Sequence, residues 1–249
     1  MIKMRKEIER YYESTKFNFD GETEFLQEFE WPITWTKIFY KAYPRFPSRK
    51  LEVAEEKELY DLESLLLARE STREFSNEPL TFEILSNLLF YSVGIKPESK
   101  NDLDSAKRMY PSAGGRYPIE TYFVADTISI LDKGLYHYNV KSNEIETLFK
   151  NDLSQQMVGI IGTDLYKASL VIILTGELSR TEVKYGTNAY RFALLEAGHI
   201  GQNISLLSEK YGLGCCAIGG FDNNKLVKLL DLTEEELPLY MLAIGKKNG

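Results

Sequence analysis

The sequence between residues 168 and 178 reads ASLVIILTGEL, and its centre is a short run of consecutive apolar residues. β-Branched residues favour a strand, and the run is far shorter than the roughly 18 apolar residues that a membrane-spanning helix needs. A strand with one exposed face alternates apolar and polar residues, whereas continuous apolar character is typical of a strand buried on both faces. This segment is therefore expected to lie inside a sheet that other elements cover.

Helical and strand patterns surround this segment. Apolar residues at helical spacing predict helices over residues 59–69, 81–93 and 188–211. Thr81 and Asp222 are suited to N-cap positions, the latter before a short fourth helix, and Gly212 is a stop signal for the third. Alternating or β-branched runs predict strands at residues 119–125, 134–140, 144–149, 215–221 and 238–245. Because strands and helices do not alternate regularly, the predicted class is α+β, with a central mixed or antiparallel sheet flanked by helices.

Composition narrows the classes of partner and location. The chain has 249 residues and a formal net charge of −7, which argues against nucleic acid as a partner. The N-terminal stretch MIKMRKEIERYYESTKF lacks the apolar core of a signal peptide, and no later run is long enough to cross a membrane. A cytoplasmic protein without membrane association is therefore expected. Two adjacent cysteines and only two histidines argue against a disulfide framework and against a metal site.

The stretch YPSAGGRYP, residues 110–118, places small residues directly before the predicted strand at 119–125. Proline, serine and glycine are turn residues, so an ordinary turn is one interpretation. A two-residue turn needs only one or two of them, and glycine also serves where a ligand approaches the backbone closely. Pro111, Ser112, Ala113 and Gly114 are therefore candidates for a ligand contact, and the sequence IGGF supplies a second bare edge at Gly219 and Gly220.

The sequence RESTREF carries Arg69, Ser71 and Arg73 at alternate positions after a predicted helix. In an extended segment, alternation directs the three side chains to one side, where two guanidinium groups and a hydroxyl suit a phosphate. The alternative is that these arginines complement the helix dipole and are otherwise solvated. A phosphate-sized basic cluster together with two bare backbone edges fits a flat, phosphorylated, heteroaromatic cofactor.

Two further features lie around the third predicted helix. Lys184 and Tyr185 precede it; the pKa of either can fall in a desolvated cationic site, which would let it act as a base, but two surface loop residues are the alternative. Within the helix, four small residues form a stripe that admits either a dimer partner or another helix of the same chain: Ala193, Ala197, Gly198 and Gly201. His199 is interpreted as a packing residue.

The motifs RESTREF, PSAGGRYPIE, KYGTNAYRFALLEAGHIGQN and YGLGCCAIGGFD occur in this order between about residues 62 and 245. Together they resemble the nitroreductase-like flavoproteins. The second and third motifs are similar to those of the SagB-type dehydrogenases, which oxidise azolines to azoles in peptides. On this resemblance, residues 1–55 are an N-terminal extension and residues 56–249 are a nitroreductase-like FMN-binding domain.

The resemblance implies a role for each candidate residue. Pro111 to Gly114 would lie along the isoalloxazine ring, Gly219 and Gly220 would approach its other side, and three residues would hold the ribityl phosphate: Arg69, Ser71 and Arg73. Lys246 or Lys247 would join the phosphate. The family is homodimeric, with two FMN sites at the subunit interface, which agrees with the small-residue stripe.

The resemblance also implies a reaction. A hydride would pass from a thiazoline or oxazoline ring to the flavin, while Lys184 and Tyr185 remove the second hydrogen as a proton. The expected partners are a cyclodehydratase complex and a ribosomal precursor peptide. Three alternatives stay open: an NAD(P)H-dependent nitro- or quinone reductase, a flavin-consuming or dehalogenating relative, and a non-catalytic scaffold subunit of a peptide-modifying complex.

Overall fold

The computed structural model of the chain describes residues 7, 10, 11, 14, 37–53, 61–99, 102–162 and 167–248. Most of the predicted N-terminal extension lies outside these residues, as do the first two residues of the helix predicted over 59–69.

Seven strands form one sheet, and every pairing between them is antiparallel. Their order across the sheet is β1-β4-β3-β2-β5-β7-β6. The strands are β1 Ser48–Lys50, β2 Ile119–Ala125, β3 Gly134–Asn139, β4 Glu144–Lys150, β5 Leu170–Glu177, β6 Leu213–Ile218 and β7 Glu236–Lys246. The predicted α+β class is confirmed, and of the two sheet types that the sequence allowed, the structure has the antiparallel one.

Strand β5 lies in the interior of this sheet, as its sequence predicts. Ile172 and Leu174 belong to the hydrophobic core on one face, whereas Val171 and Ile173 belong to the core on the other. All four side chains are almost completely buried. Continuous apolar sequence therefore reflects helices on both faces of the sheet.

The described part of the chain contains six α-helices. They are α1 Leu62–Ala68, α2 Phe82–Val93, α3 Ser154–Ile161, α4 Ser179–Tyr185, α5 Asn188–Lys210 and α6 Asn223–Leu230. The core on one face contains residues of α2 and α5, and the core on the other contains residues of α3 and α6. The predicted caps are confirmed, since Thr81 and Asp222 accept hydrogen bonds from the backbone amides of Ile84 and Lys225.

Three local features differ from the sequence interpretation. Helix α3 was not predicted; its N-cap residue Leu153 provides no side-chain cap, although Gly162 ends the helix in the left-handed conformation. The pair Lys184 and Tyr185 lies at the end of helix α4 instead of in a loop. Ala193, Ala197 and Gly201 are buried inside the chain; a Cβ atom on Gly201 would lie 2.6 Å from the Tyr240 ring. Packing on the sheet therefore explains most of the small-residue stripe.

The described parts of the N-terminal extension contact the rest of the chain. β1 pairs with β4 at one edge of the sheet. The Tyr11 ring lies edge-on to Tyr190, with centroids 5.9 Å apart, and the Thr187 hydroxyl donates to the Ser14 carbonyl at 2.8 Å. The extension therefore contacts the start of α5, next to the end of α4.

Candidate active site

The small-residue segment before β2 folds into a compact turn that we call the cradle, comprising Pro111, Ser112, Ala113 and Gly114. Its last residue has φ +59°, in the left-handed region that favours glycine. The Ser112 hydroxyl donates to Oε1 of Glu196 at 2.8 Å, and the Ala113 amide donates to the same oxygen at 3.2 Å. A carboxylate from helix α5 thus fixes the shape of the cradle.

Lys184 and Tyr185 meet the cradle at Gly114. A Cβ atom at Gly114 would lie 2.6 Å from the Tyr185 hydroxyl and 3.4 Å from Nζ of Lys184. The Tyr185 ring packs edge-on against Phe192 of α5, with centroids 5.0 Å apart. Two motifs that the sequence separates by 70 residues therefore form one cluster, and Gly114 is the residue that lets the two side chains reach the backbone.

Burial, more than the nearby charges, sets the pKa values of the acidic groups in this cluster. Burial raises the pKa of the Tyr185 phenol, although the Arg116 guanidinium opposes this and the Glu196 carboxylate adds to it. Burial also raises the pKa of Glu196 to about 7, against the hydrogen bonds from Ser112 and Ala113. The expectation that a cationic site lowers the pKa of this tyrosine is wrong, because burial outweighs the nearby arginine.

Helix α4, which carries Lys184 and Tyr185, is held in place by Arg180. The Arg180 guanidinium forms an ion pair with Glu120 of β2 at 2.5 Å and donates to the Tyr117 carbonyl at 3.2 Å. Arg116 donates from Nε to the Arg180 carbonyl at 3.0 Å. The three arginine contacts connect α4 to β2 and to the segment between the cradle and β2.

The same ion pair continues into a buried histidine site on the sheet. His137 lies between Glu120, 3.1 Å from Nε2, and Glu146, 2.8 Å from Nδ1. Burial lowers the pKa of His137, but hydrogen bonds and charges from both glutamates reverse this and leave the pKa raised. For the Glu120 carboxyl, burial has the opposite effect and raises the pKa. Arg180 and His137 outweigh burial and bring the pKa of Glu120 to about 2.

The predicted phosphate-binding residues lie elsewhere, along edge strand β6. Ser71 forms a bridge with Cys215 of β6, and the Thr72 amide donates to the Cys215 carbonyl at 3.0 Å. Thr72 packs on Gly214, where a Cβ atom would lie 2.6 Å from Cγ2. Thr72, between Ser71 and Arg73, is therefore a packing residue. Ser71 and Arg73 are exposed, and Arg69 is half-buried. Neither arginine has an ion pair to a carboxylate in the described part of the chain.

Gly219, Gly220 and Lys246 lie beside the same strand. The two glycines follow the end of β6, are exposed, and a Cβ atom on either would meet nothing within 4 Å. Lys246, opposite Leu213 of β6, forms an ion pair with Glu78 at 2.9 Å, and Lys247 forms one with Glu209 at 3.0 Å. We call the six predicted residues at this edge the β6 group: Arg69, Ser71, Arg73, Gly219, Gly220 and Lys246.

Strand registers show that the Ser71 end of the β6 group lies far from the cradle within one chain, whereas Gly219 and Gly220 follow Ile218, which is level with Tyr122 of β2. Ser71 is bridged to Cys215 of β6, and Cys215 is paired across the sheet, through one residue each of β7 and β5, with Ala125 of β2. The cradle lies before the other end of β2, at Ile119, six residues or roughly 20 Å along the strand. Three strand spacings, roughly 14 Å, also separate β2 from β6. The predicted site residues therefore form two groups, not one.

Helix α5 gives an independent measure of this separation. Glu196 contacts the cradle, and the Ser205 hydroxyl lies 3.8 Å from the Cys215 sulfur, next to the β6 group. Nine residues of helix between them correspond to roughly 13 Å. Both measures place the Ser71 end of the β6 group beyond direct contact with the cradle.

Two cavities adjoin the cradle. A cleft of about 730 Å³ is lined by residues 104–112 and 114–117 together with Ile38 and Lys96. A smaller cavity of about 260 Å³ lies between the cradle and α5, where Phe192, Leu195, Glu196 and His199 line it. The cradle is therefore accessible from two sides.

Glu196 and Arg180 are site residues that the sequence interpretation missed. Glu196 lies three residues after Ala193 and four before Ile200, both of which are buried. A carboxylate among the apolar residues of the buried face of a helix departs from the usual amphipathic pattern. This departure is the sequence feature by which Glu196 could have been recognised as a site residue. His199, interpreted as a packing residue, is exposed and lines the smaller cavity.

Among the described residues, no helix has the length and apolar character needed to cross a membrane. They also contain no group of three or more His, Cys, Asp or Glu side chains arranged to hold a metal ion.

Comparisons with known proteins identify the family. The model of the nitroreductase family matches residues 66–246. The nitroreductase-type protein MJ1384 of Methanocaldococcus jannaschii is 29% identical over 188 residues, which cover 75% of this chain and 91% of that protein. The microcin B17-processing protein McbC of Escherichia coli is 27% identical over 158 residues, which cover 60% of this chain and 58% of McbC.

A solved structure agrees with this assignment. The crystal structure of a nitroreductase-type protein from Anabaena variabilis superimposes with a TM-score of 0.71 at 26% identity, covering 84% of this chain and 44% of that chain. The matched residues include all seven candidate positions from Arg69 to Gly114 and extend through Lys184 and Tyr185 to Lys246. The chain belongs to the nitroreductase family of flavin-dependent oxidoreductases.

Proposed function

We propose that this protein is an FMN-dependent dehydrogenase that oxidises thiazolines or oxazolines in a ribosomally made peptide to thiazoles or oxazoles. The observation that carries the proposal is the contact of Lys184 and Tyr185 with Gly114 of the cradle. A reductase that only passes electrons from a nicotinamide to a flavin has no use for this pair, whereas loss of a ring C–H hydrogen as a proton requires a group that takes it.

The residues of the β6 group fit the phosphate end of FMN. Arg69 and Arg73 have no carboxylate partner in the described part of the chain, so both guanidinium groups are available to a dianion. Gly219 and Gly220 have φ values that other residues adopt, and no neighbouring atom excludes a side chain there. Neither backbone conformation nor packing within the chain explains these glycines, whereas close approach of a flat ring does.

The two halves of the site would come from two chains. Because Ser71, between Arg69 and Arg73, lies far from the cradle in one chain, an FMN that contacts both would be shared between two copies. Apolar side chains suited to such an interface are exposed on α1 and α5, which pack against each other: Leu62, Leu66, Leu67, Leu194 and Leu195. A homodimer with two composite sites follows from the two-fold symmetry of such a contact.

Within this site the chain supplies binding and proton transfer. FMN, when bound, supplies acceptance of a hydride from the substrate. Lys184 and Tyr185 would remove the second hydrogen as a proton, and packing against Phe192 positions the Tyr185 ring. The cleft of about 730 Å³ beside the cradle is large enough for the flanking peptide. Similarity to McbC, a processing protein for a peptide microcin, supports a precursor peptide and a cyclodehydratase complex as partners.

Lys184→Ala and Tyr185→Phe test the assigned roles. Both variants are expected to purify as yellow, folded protein and to oxidise an azoline peptide at least about 100-fold more slowly, since general-base groups contribute factors of that size. Mass spectrometry follows the reaction as the loss of two hydrogens. Tyr190→Phe, which removes the hydroxyl of an exposed tyrosine on α5, is the matched control and should keep full activity. Full activity in both site variants would refute the roles given to this pair.

Co-expression of two damaged chains tests the composite site. Lys184→Ala damages the cradle side and Arg73→Ala damages the β6 side, so homodimers of either variant should be inactive. Random association makes half of the dimers mixed, each with one intact site of two, which restores about a quarter of the wild-type activity. Absence of recovery, with mixed dimers demonstrated by two affinity tags, would mean that each chain builds its site alone.

A further inference from the structure

Glu196 is a buried carboxylate in an unusual position. Its side chain is 3% exposed, and Oε1 accepts hydrogen bonds from the Ser112 hydroxyl and the Ala113 amide. Oε2 is buried and has no hydrogen-bond partner in the described part of the chain. An ionised carboxylate with an unsatisfied buried oxygen is costly, so a site of this kind favours uptake of a proton.

Tyr185 and Glu196 flank consecutive residues of the cradle. The Tyr185 hydroxyl lies against Gly114, and Glu196 binds the amide of Ala113. The negative charge of Glu196 acts on the phenol and contributes to its raised pKa. The phenol is therefore protonated at neutral pH, so Tyr185 can take up a substrate proton only by passing its own proton to another group.

We propose that Glu196 is the group that holds the proton removed from the substrate, receiving it through Tyr185. This rests on the proposed function. The substrate C–H bond breaks, its proton goes to the tyrosine oxygen, and the phenolic proton moves to the Glu196 carboxylate, which becomes a neutral acid. The hydride from the ring goes to the flavin, so charge and atoms balance. Glu196 acts through Tyr185 and is a positioning residue for the proton.

The groups around Glu196 allow this exchange near neutral pH. Arg108 lowers its pKa, as do Ser112 and Ala113, but burial outweighs them and leaves the value at about 7. Tyr110 and Tyr185 also face it, and His199, one turn along α5, lines the same cavity of about 260 Å³. That cavity gives the proton a route out of the site after each turnover.

Glu196→Gln tests this inference on the full-length, FMN-loaded protein. The amide retains an oxygen that can accept from Ser112 and Ala113, so the fold and the flavin content are expected to be kept. In the wild type, azoline oxidation should fall as the pH drops through about 7, because the carboxylate is the form that accepts a proton. Glu196→Gln should lose at least about 100-fold in rate and show no inflection there. Glu182→Gln, an exposed glutamate on α4, is the control and should behave as wild type.

A second readout does not depend on turnover. With ¹³C-labelled glutamate side chains, one carboxyl resonance should titrate near pH 7 and be absent from Glu196→Gln. Ser112→Ala, which removes a hydrogen bond to the carboxylate, should move that titration to higher pH. Persistence of the inflection in Glu196→Gln, or absence of a carboxyl titration near pH 7 that this variant removes, would overturn the inference. A wild type that titrates as described but oxidises no azoline would instead refute the proposed function.

Discussion

Gly114→Ala is expected to abolish azoline oxidation while leaving most of the stability of the protein. The new Cβ atom would lie 2.6 Å from the Tyr185 hydroxyl and 3.4 Å from Nζ of Lys184, so both groups must move away from the cradle. A displacement of about 1 Å in catalytic groups costs on the order of 100-fold in rate. The backbone strain of a non-glycine residue at φ +59° adds about 1–2 kcal/mol of destabilisation.

Gly115→Ala separates these two effects. Gly115 has φ +64°, but a Cβ atom there would meet nothing within 4 Å. Both variants should therefore lose a similar free energy of unfolding, measured in urea, whereas only Gly114→Ala should lose azoline oxidation. Equal loss of activity in both would mean that backbone strain, and not the contact with Lys184 and Tyr185, is what the cradle glycine avoids.

Arg180→Ala is expected to lower the free energy of unfolding by about 3–5 kcal/mol, because it leaves Glu120 as a buried charge without its arginine. Arg180 also anchors helix α4, so loss of azoline oxidation should accompany the loss of stability. Lys150→Ala is the control: it removes an ion pair to Asp132 in which both side chains are more than half exposed, and should cost less than about 1 kcal/mol. Equal losses in the two variants would contradict the structural role given to Arg180.

The destabilisation by Arg180→Ala should depend on pH in a defined direction. The pKa of Glu120 is held at about 2, below its unfolded value of roughly 4.3. A group with a depressed folded pKa contributes stability above its unfolded pKa, and that contribution is lost as the pH falls through the folded value. The difference between wild type and variant should therefore shrink between about pH 4 and pH 2. A constant difference over this range would exclude the Glu120 ion pair as its cause.

Local sequence signals predicted most of the fold. Thr81 and Asp222 mark helix starts because a side-chain oxygen satisfies a free backbone amide, and this requirement is local. Strand β5 was recognisable because burial on both faces demands apolar residues at every position. Helix α3 was missed since it is short and has no side-chain N-cap, although Met157, Ile160 and Ile161 recur at helical spacing and pack in the same core as α6.

The sequence suggests candidate residues for the site but not their arrangement. Small residues at the cradle and alternating arginines near β6 are local patterns, so both groups can be proposed from the sequence. Their separation depends on the order and register of four strands, which the sequence does not specify. Glu196 and the Arg180–Glu120–His137 contacts were missed because a buried charge is recognised only when its partners, distant in sequence, are known.

The most direct test of the proposed function is an anaerobic absorbance spectrum of the purified protein, recorded before and after addition of NADPH and again after addition of an azoline-bearing peptide. The account predicts flavin bands that the azoline peptide bleaches and NADPH does not, because the peptide is the source of the hydride. Bleaching by NADPH with no response to the azoline would contradict it. The protein would then be a nicotinamide-dependent reductase, with no proton-transfer role for Lys184 and Tyr185.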